Sequence, residues 1–322
     1  MRIGHARRWQ ARLAILVVAM LCVPWALSAP QEFGAFTRDD VLLVVAPHPD
    51  DETLCCAGAI QRAHAAGARV AVAWITSGDG FELDAHIVER RWHTGTQGLL
   101  ELARLRMLEA TRVAELLGIR AQERFFLGYP DGGIAKLLHD NFDEPYTSPH
   151  TGVAAVPYAQ ALSPGAAYTG QNLERDLASI IERIKPTWVL APTPLDVHED
   201  HRATGEFVIR VMGHLARLNQ ARYWIVHGGF EWPWPRGLQP DSQLQPPRRA
   251  RNLPWNSFAL SAQERAVKAD AIRLYDTQMR LTSSFLLSFV KRNEIYSSTP
   301  LAPALPAAPT SGSPIAPGAS TD

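Results

Sequence analysis

Short, wholly apolar runs that alternate with amphipathic segments constrain this chain more than any other feature. Val41-Leu42-Leu43-Val44-Val45-Ala46 is apolar throughout, bounded by Asp39-Asp40 and by Pro47. Such a run reads as a strand buried on both faces. Residues 52–66 read as a helix ending near Gly67, and residues 70–75 repeat the strand pattern up to Ser77-Gly78-Asp79-Gly80. Leu102, Leu105, Met107, Leu108, Val113, Leu116 and Leu117 set a helical period over 99–117, closed by Gly118. Residues 124–127, 188–191 and 223–226 read as three more strands, and 173–185 and 202–218 as two more helices. This alternation predicts an α/β fold: a Rossmann-like, doubly wound, mostly parallel sheet with right-handed crossovers.

Long loops interrupt the pattern at 128–170, rich in Gly and Pro, and at 228–257, which holds Trp232, Trp234 and Trp255. Loops of this length usually form rims or lids. Trp232 and Trp234 read as packing within their loop in preference to stacking on sugars. The spacing of Gly78 and Gly80 does not fit a dinucleotide site. Residues 36–296 read as one domain, within reach of 322 residues that are 46% hydrophobic. Residues 297–322 are Pro, Ala, Ser, Thr and Gly in the main and read as a disordered tail.

At the other end, Arg2, Arg7, Arg8 and Arg12 precede an apolar run, Pro24 and the small residues of Ala26-Leu27-Ser28. Residues 1–28 therefore read as a secretory signal, with an uncleaved anchor as the alternative. The expectation is export to the periplasm or beyond, with membrane attachment only if the segment is kept. Cleavage leaves 28 basic against 32 acidic residues. No run of five like charges occurs, which argues against a nucleic-acid partner. Cys55 and Cys56 are adjacent. Neighbouring cysteines do not readily close a disulfide, so both read as small buried apolar residues.

The chemistry gathers where strands end. The first strand runs into Pro47-His48-Pro49-Asp50-Asp51-Glu52, and the fourth into Pro192-Thr193-Pro194-Leu195-Asp196-Val197-His198-Glu199-Asp200-His201. Open α/β sheets bind ligands beyond the carboxyl ends of their strands. Imidazole with carboxylate suits a divalent metal that keeps one position for water. Water so held loses its proton near pH 7, and a carboxylate and a histidine beside it can complete a hydrolytic site. His48, Asp51 and His201 are the candidate metal ligands. Two histidines and one carboxylate also suit a non-haem iron oxygenase, and a relic site could serve a non-catalytic glycan-binding module. The alternating elements argue against the former, and the surplus of reactive groups against the latter.

Ala46-Pro47-His48-Pro49-Asp50-Asp51-Glu52 resembles the signature of LmbE-like, PIG-L-type deacetylases, and His198-Glu199-Asp200-His201 resembles their second motif. Thr76-Ser77-Gly78-Asp79, Arg106-Met107-Leu108-Glu109-Ala110, Asp131-Gly132-Gly133 and Tyr275-Asp276-Thr277-Gln278 extend the likeness over roughly 40–296. The resemblance implies removal of acetyl from an N-acetylglucosamine-type small molecule or oligosaccharide. It implies Zn2+, with Fe2+, Co2+ or Mn2+ also fitting, held by His48, Asp51 and His201. It implies Asp50 as general base, His198 as electrophile oriented by Asp200, and Arg106 and Asp131 in the substrate pocket. Glu52 reads as an ordinary first-turn residue, while Asp196 reads equally as a turn residue or as a partner of a ligand. His64, His86, His93, His139, His150, His214 and His227 read as structural or solvated. Oligomeric state leaves no signal in the sequence.

Overall fold

The computed structural model describes residues 33–80 and 95–301. The signal segment, His86 and His93 lie outside the described residues, as does the tail from 302 onward. From residue 36 the chain runs β1 Val41–Ala46, α1 Asp51–Ala65, β2 Arg69–Thr76, α2 Thr96–Leu116, β3 Arg124–Tyr129 and α3 Ile134–His139. It continues with α4 Gly170–Ile184, β4 Trp188–Pro192, α5 Glu199–His214, β5 Ala221–Trp224, β6 Trp255–Ala259, α6 Ala262–Arg273, α7 Asp276–Leu287 and β7 Asn293–Ser297.

The strands form one sheet in the order β3-β2-β1-β4-β5-β7-β6. The first five pair in parallel, whereas β7 runs antiparallel to both β5 and β6. This is the mostly parallel α/β fold that the alternation predicts. Its strand order reverses between β1 and β4, whose Leu42 and Trp188 are partners. A crevice opens at such a switch point. Leu42 through Ala46 have no exposed surface. Burying each large side chain of that run stabilises the fold by about 1.5–3 kcal/mol, which is why a strand covered on both faces excludes polar residues.

Several boundaries differ from the sequence reading. Helix α5 starts at Glu199 because the His198 side chain caps it, accepting from the Asp200 amide. It stops at His214, two residues before Ala216 takes φ 55°. Strand β5 ends at Trp224 because the Val226 amide donates to Asp196 instead of to a neighbouring strand. Leu108 and Leu116 lie 59% and 45% exposed, off the buried face of α2 that carries Leu99, Leu102, Ala103, Arg106, Met107, Ala110 and Val113.

The long loops carry structure of their own. Residues 128–170 include α3 and buried Val156, Tyr158 and Tyr168. In 228–257, Leu244, Ala250 and Leu253 pack with Ile225 and Ile295, and Trp232 and Trp255 lean on that cluster. Trp232 thus packs as expected, but Trp234 is 72% exposed. Ser297 is the last residue of β7, and the Pro300 carbonyl accepts from Thr193 Oγ1 at 2.5 Å. Cys55 and Cys56 are joined as a disulfide within α1, where the sequence reading expects two thiols; both are buried. No described helix is long and apolar enough to cross a membrane.

Candidate metal centre and active site

Two loops meet at the switch point. Beyond β1, Asp50 adopts φ 125°, a region that costs a non-glycine residue about 1–3 kcal/mol and usually marks a functional constraint. Asp50 precedes α1 without capping it: its carboxylate makes no hydrogen bond to the helix and lies 3.7 Å from Arg106 Nη2. Arg106 in turn donates to the Pro49 carbonyl at 3.0 Å and to the Gly78 carbonyl at 3.3 Å. A side chain at Gly78 would place its Cβ 2.1 Å from Arg106 Nη1, so only glycine lets the arginine through. Beyond β4, Asp196 gathers the second loop, accepting from the amides of His198, Val226 and His227 at 2.9, 3.1 and 3.0 Å.

His48, Asp51 and His201 converge, with their ligand atoms within 4.8 Å of one another. Asp51 Oδ2 lies 3.2 Å from both His48 Nδ1 and His201 Nε2. Both nitrogens of His201 are buried without a hydrogen-bond partner. Buried imidazole nitrogens are rarely left so, and two imidazoles around a carboxylate are a donor set that fits a divalent cation. Asp196 Oδ2 lies 3.2 Å from His201 Nδ1, close enough for attraction though off the hydrogen-bonding direction.

His48, His198 and Asp200 form a second cluster within the same 4.8 Å. The first set is the better cation site. There His48 offers Nδ1, and its Nε2 faces Asp131 at 3.1 Å and Asp200 at 3.3 Å. A histidine that ligates through one nitrogen normally donates the other N–H to a carboxylate. In the second set Nε2 itself would ligate beside an Asp200 carboxylate already accepting from the Gly132 and Ile134 amides.

A cleft of about 320 Å³ opens over these groups, lined by His48, Asp50, Asp51, Arg106, Asp131 and His198 together with His227, Gln278 and Phe285. The family model described as PIG-L, GlcNAc-PI de-N-acetylase, matches residues 43–212, from within β1 to within α5 and through both loops. The chain belongs to this family. Among solved structures, a conserved protein from Thermus thermophilus is 21% identical, with 81% of this chain and 95% of that one covered at a TM-score of 0.50; the likeness is one of fold. The N,N'-diacetylchitobiose deacetylase from Pyrococcus horikoshii is 19% identical, with 88% and 86% covered at 0.44. A deacetylase of teicoplanin biosynthesis is 16% identical, with 75% and 86% covered at 0.48. No curated protein matches the chain by sequence.

The charges of this PIG-L site are set by burial and by each other. Burial lowers the affinity of His201 for a proton, but Asp51 and Asp196 outweigh it and lift its pKa to about 9. The same contest, decided by Asp131, raises His48 well above the usual histidine range. His198 moves the other way, pushed down to about 4 by burial and then by His48 and His201. His227 falls to about 3, again by burial first. Asp50 is driven well above the ordinary carboxylate range by burial and by Asp51. Asp131 would rise on burial alone, but His48 pulls it well below that range.

The eight sequence-predicted residues thus come together at one edge of the sheet, with Arg106 and Asp131 in the cleft as expected, while the Asp200 carboxylate sits differently from the expectation. The Asp200 carboxylate turns from His198 toward α3 and His48, because the second residue of α5 faces residues 132–134. What holds His198 is the Asp200 amide, donating to Nδ1 at 3.3 Å, together with Asp196. Asp131 faces His48 and accepts from the Gly80 amide at 3.0 Å. Arg106 lines the cleft while two of its nitrogens serve backbone carbonyls.

Other groups escaped the sequence reading. Glu52 is a buried carboxylate that accepts from Trp74 Nε1 at 2.9 Å, from Thr53 Oγ1 at 2.6 Å, from the Asp50 amide at 3.2 Å and from the Tyr275 hydroxyl. Tyr275 therefore ties the late motif to the first. His227 lines the cleft with its ring 4.7 Å from that of His201, and His150 lines it as well. The carboxyl-end rule that singled out His48 and His201 would have found His227, three residues past β5.

Proposed function

We propose that the protein hydrolyses the N-acetyl group of an amino sugar, using a divalent metal, zinc by preference, held by His48, Asp51 and His201. The observation that carries this reading is Asp51 between two buried imidazoles, with Asp50 beside it in the cleft. A cation there supplies Lewis acidity and a water that ionises near neutral pH. Asp50, with its affinity for protons raised by burial, accepts the proton of the attacking water and later returns it to the departing amine. His198 is neutral at pH 7. Its Nδ1 accepts from the Asp200 amide, so Nε2 carries the proton and donates to the acetyl oxygen as charge develops there. Asp196 and the Asp131–Asp200 pair hold the two ligand imidazoles. Arg106 fixes the Asp50 loop through Pro49. We also place the enzyme outside the cytoplasm, on the N-terminal pattern alone.

The test is acetate release from a panel of N-acetylated sugars by the zinc-loaded chain. Asp50→Asn is expected to lower kcat by about 10²–10⁴-fold while zinc stays bound. Full activity in that variant, or no acetate from any member of the panel, would overturn the proposal.

A further inference from the structure

The loop between β5 and β6 leaves an aromatic surface beside the cleft that the proposed chemistry does not use. Phe230 is 97% exposed and Trp234 72%. Single exposed apolar side chains are ordinary, but two within five residues, on a loop that also carries His227 of the cleft, call for a ligand. The loop is also pinned. Trp232 Nε1 donates to the Gln245 carbonyl at 2.7 Å, and its ring meets Phe289 edge-on at 5.5 Å. Lys291, itself buried, donates to the Pro235 carbonyl at 2.8 Å and to Ser242 Oγ at 3.0 Å. The Gly237 amide donates to the Ser284 carbonyl at 2.9 Å. Holding a backbone so firmly while leaving its largest side chains in water is the arrangement of a preorganised binding surface, which loses little entropy when a ligand arrives.

A continuous path joins this surface to the cleft. His227 and Phe285 line the cleft and stack on one another at 5.5 Å. The Arg236 guanidinium lies 4.9 Å over the Phe285 ring, and its Nη2 donates to the Phe230 carbonyl at 2.9 Å. The cleft itself, at about 320 Å³, is at the low end of the roughly 300–1,000 Å³ typical of ligand pockets. It accommodates little more than the acetylated residue, so any longer ligand must leave across this rim. A pyranose ring offers an apolar C–H face to a flat aromatic and hydroxyls to a guanidinium, and the rim supplies both kinds of partner. Exposed Glu231, between Phe230 and Trp232, disfavours insertion of the same loop into an apolar surface.

We propose that Phe230, Trp234 and Arg236 form a subsite for sugar units beyond the acetylated one, so that the substrate is an oligosaccharide or polysaccharide. The proposal rests on the deacetylase reading of the cleft. Its test compares N-acetylglucosamine with its β-1,4-linked tetramer on the zinc-loaded full chain, by acetate release and by calorimetric binding. The expected kcat/KM is at least tenfold higher for the tetramer. In Phe230→Ala/Trp234→Ala that ratio should fall to within threefold of one, and Arg236→Gln should lower it as well. Equal values in the unmodified chain, or an unchanged ratio in the double variant, would overturn the subsite. If neither sugar releases acetate, binding alone judges the rim, and the deacetylase reading fails only if the whole acetylated panel is also inert. Tetramer affinity at least tenfold weaker in the double variant then supports it, and unchanged affinity overturns it. Loss of phosphatidylcholine-vesicle binding in the double variant, with tetramer binding intact, also overturns it in favour of a membrane contact.

Discussion

Replacing Asp196 by Asn separates the role of this carboxylate behind a metal ligand from its role in holding a loop. Asp196 has no exposed surface, and three donors converge on it, the amides of His198, Val226 and His227 at 2.9–3.1 Å, while His201 Nδ1 lies 3.2 Å away. Asparagine offers one acceptor oxygen and one NH2 group. Whichever way the amide turns, the NH2 faces a buried N–H. With the oxygen toward Val226 and His227, the His198 amide loses its partner. One unsatisfied buried donor costs about 1–3 kcal/mol, and a chain of this size loses roughly 2–4 °C of Tm per kcal/mol. The lost charge acts separately on the cation. Removing a carboxylate behind a ligating histidine typically weakens metal binding about 10–100-fold, or about 1.4–2.7 kcal/mol. A competition titration against a chromophoric chelator should show the zinc Kd raised by that factor, with activity returning toward the unmodified level at saturating zinc. A Kd within twofold of the unmodified protein, alongside a lowered Tm, would refute the reasoning: Asp196 would then hold the loop and nothing more.

Three further outcomes are expected. Chelation should abolish activity and lower Tm, because a cation at 100 times its Kd stabilises the folded state by about 2.7 kcal/mol; an unshifted Tm with activity retained would count against the metal. Lys268→Met should cost about 3–5 kcal/mol in urea unfolding, since it strands buried Glu294, whose Oε1 lies 2.8 Å from Lys268 Nζ. Lys268→Met/Glu294→Gln should recover part of that loss, and a cost under about 1 kcal/mol for the single variant would sink the argument. Asp79, buried and next to Asp131, has its pKa raised to about 6. A carboxyl raised in the folded state stabilises below its unfolded pKa of about 3.9, and that contribution is lost as pH rises through 6. Stability measured from pH 4 to 7 on chelated protein should therefore fall less in Asp79→Asn than in the unmodified chain, and parallel profiles would disprove the assignment.

The fold was legible wherever burial acts on both faces of an element. The apolar runs of β1, β2 and β4 have one reading, because a polar residue there would be stranded on either side. The two His/Asp segments were legible for a related reason: sheet topology dictates where β1 and β4 end, so the ligand types and their meeting place follow together. Orientation within the site was not. The Asp200 carboxylate faces His48 because the Gly132 amide, just before α3, and the Ile134 amide, its first, both donate to it, and nothing near Asp200 in sequence announces groups 66 and 68 residues earlier. Glu52 looked like a helix-start carboxylate because its donors Trp74 and Tyr275 come from β2 and from the residue before α7. Elements β6, α6, α7 and β7 went unread because a half-exposed strand and a helix of low apolar contrast carry weak periodicity, and because β7, though buried throughout, is polar at Asn293, Glu294 and Ser297; Asn256, Ser257 and Ala259 of β6 are exposed.

Those late elements explain why a site assembled from the first 201 residues needs a chain of this length. Helix α1 carries Asp51, and Asp50 just before it, yet its middle turn is held from outside. The Gly58 and Ala59 amides donate to Glu294 at 2.8 and 3.1 Å. The Leu54 carbonyl accepts from Lys268 at 2.8 Å, and the Cys55 carbonyl from Tyr296 at 3.1 Å. Residues 54 and 58, and likewise 55 and 59, are the pairs that an uninterrupted helix would bond to each other. Side chains from α6 and β7 therefore reach into the helix backbone itself. Gly58 makes the approach feasible: a Cβ there would lie 2.2 Å from Leu260 Cδ2 and 3.0 Å from Glu294 Oε2. One turn earlier, Tyr275 reaches Glu52, and on α2 Glu109 accepts from Thr277 Oγ1 at 2.7 Å, three residues beyond Arg106. Both helices that fix Asp50, Asp51 and Arg106 are thus anchored by the C-terminal third. A helix that must hold a strained aspartate at φ 125° gains from such anchoring, because strain persists only where surrounding contacts over-determine the backbone.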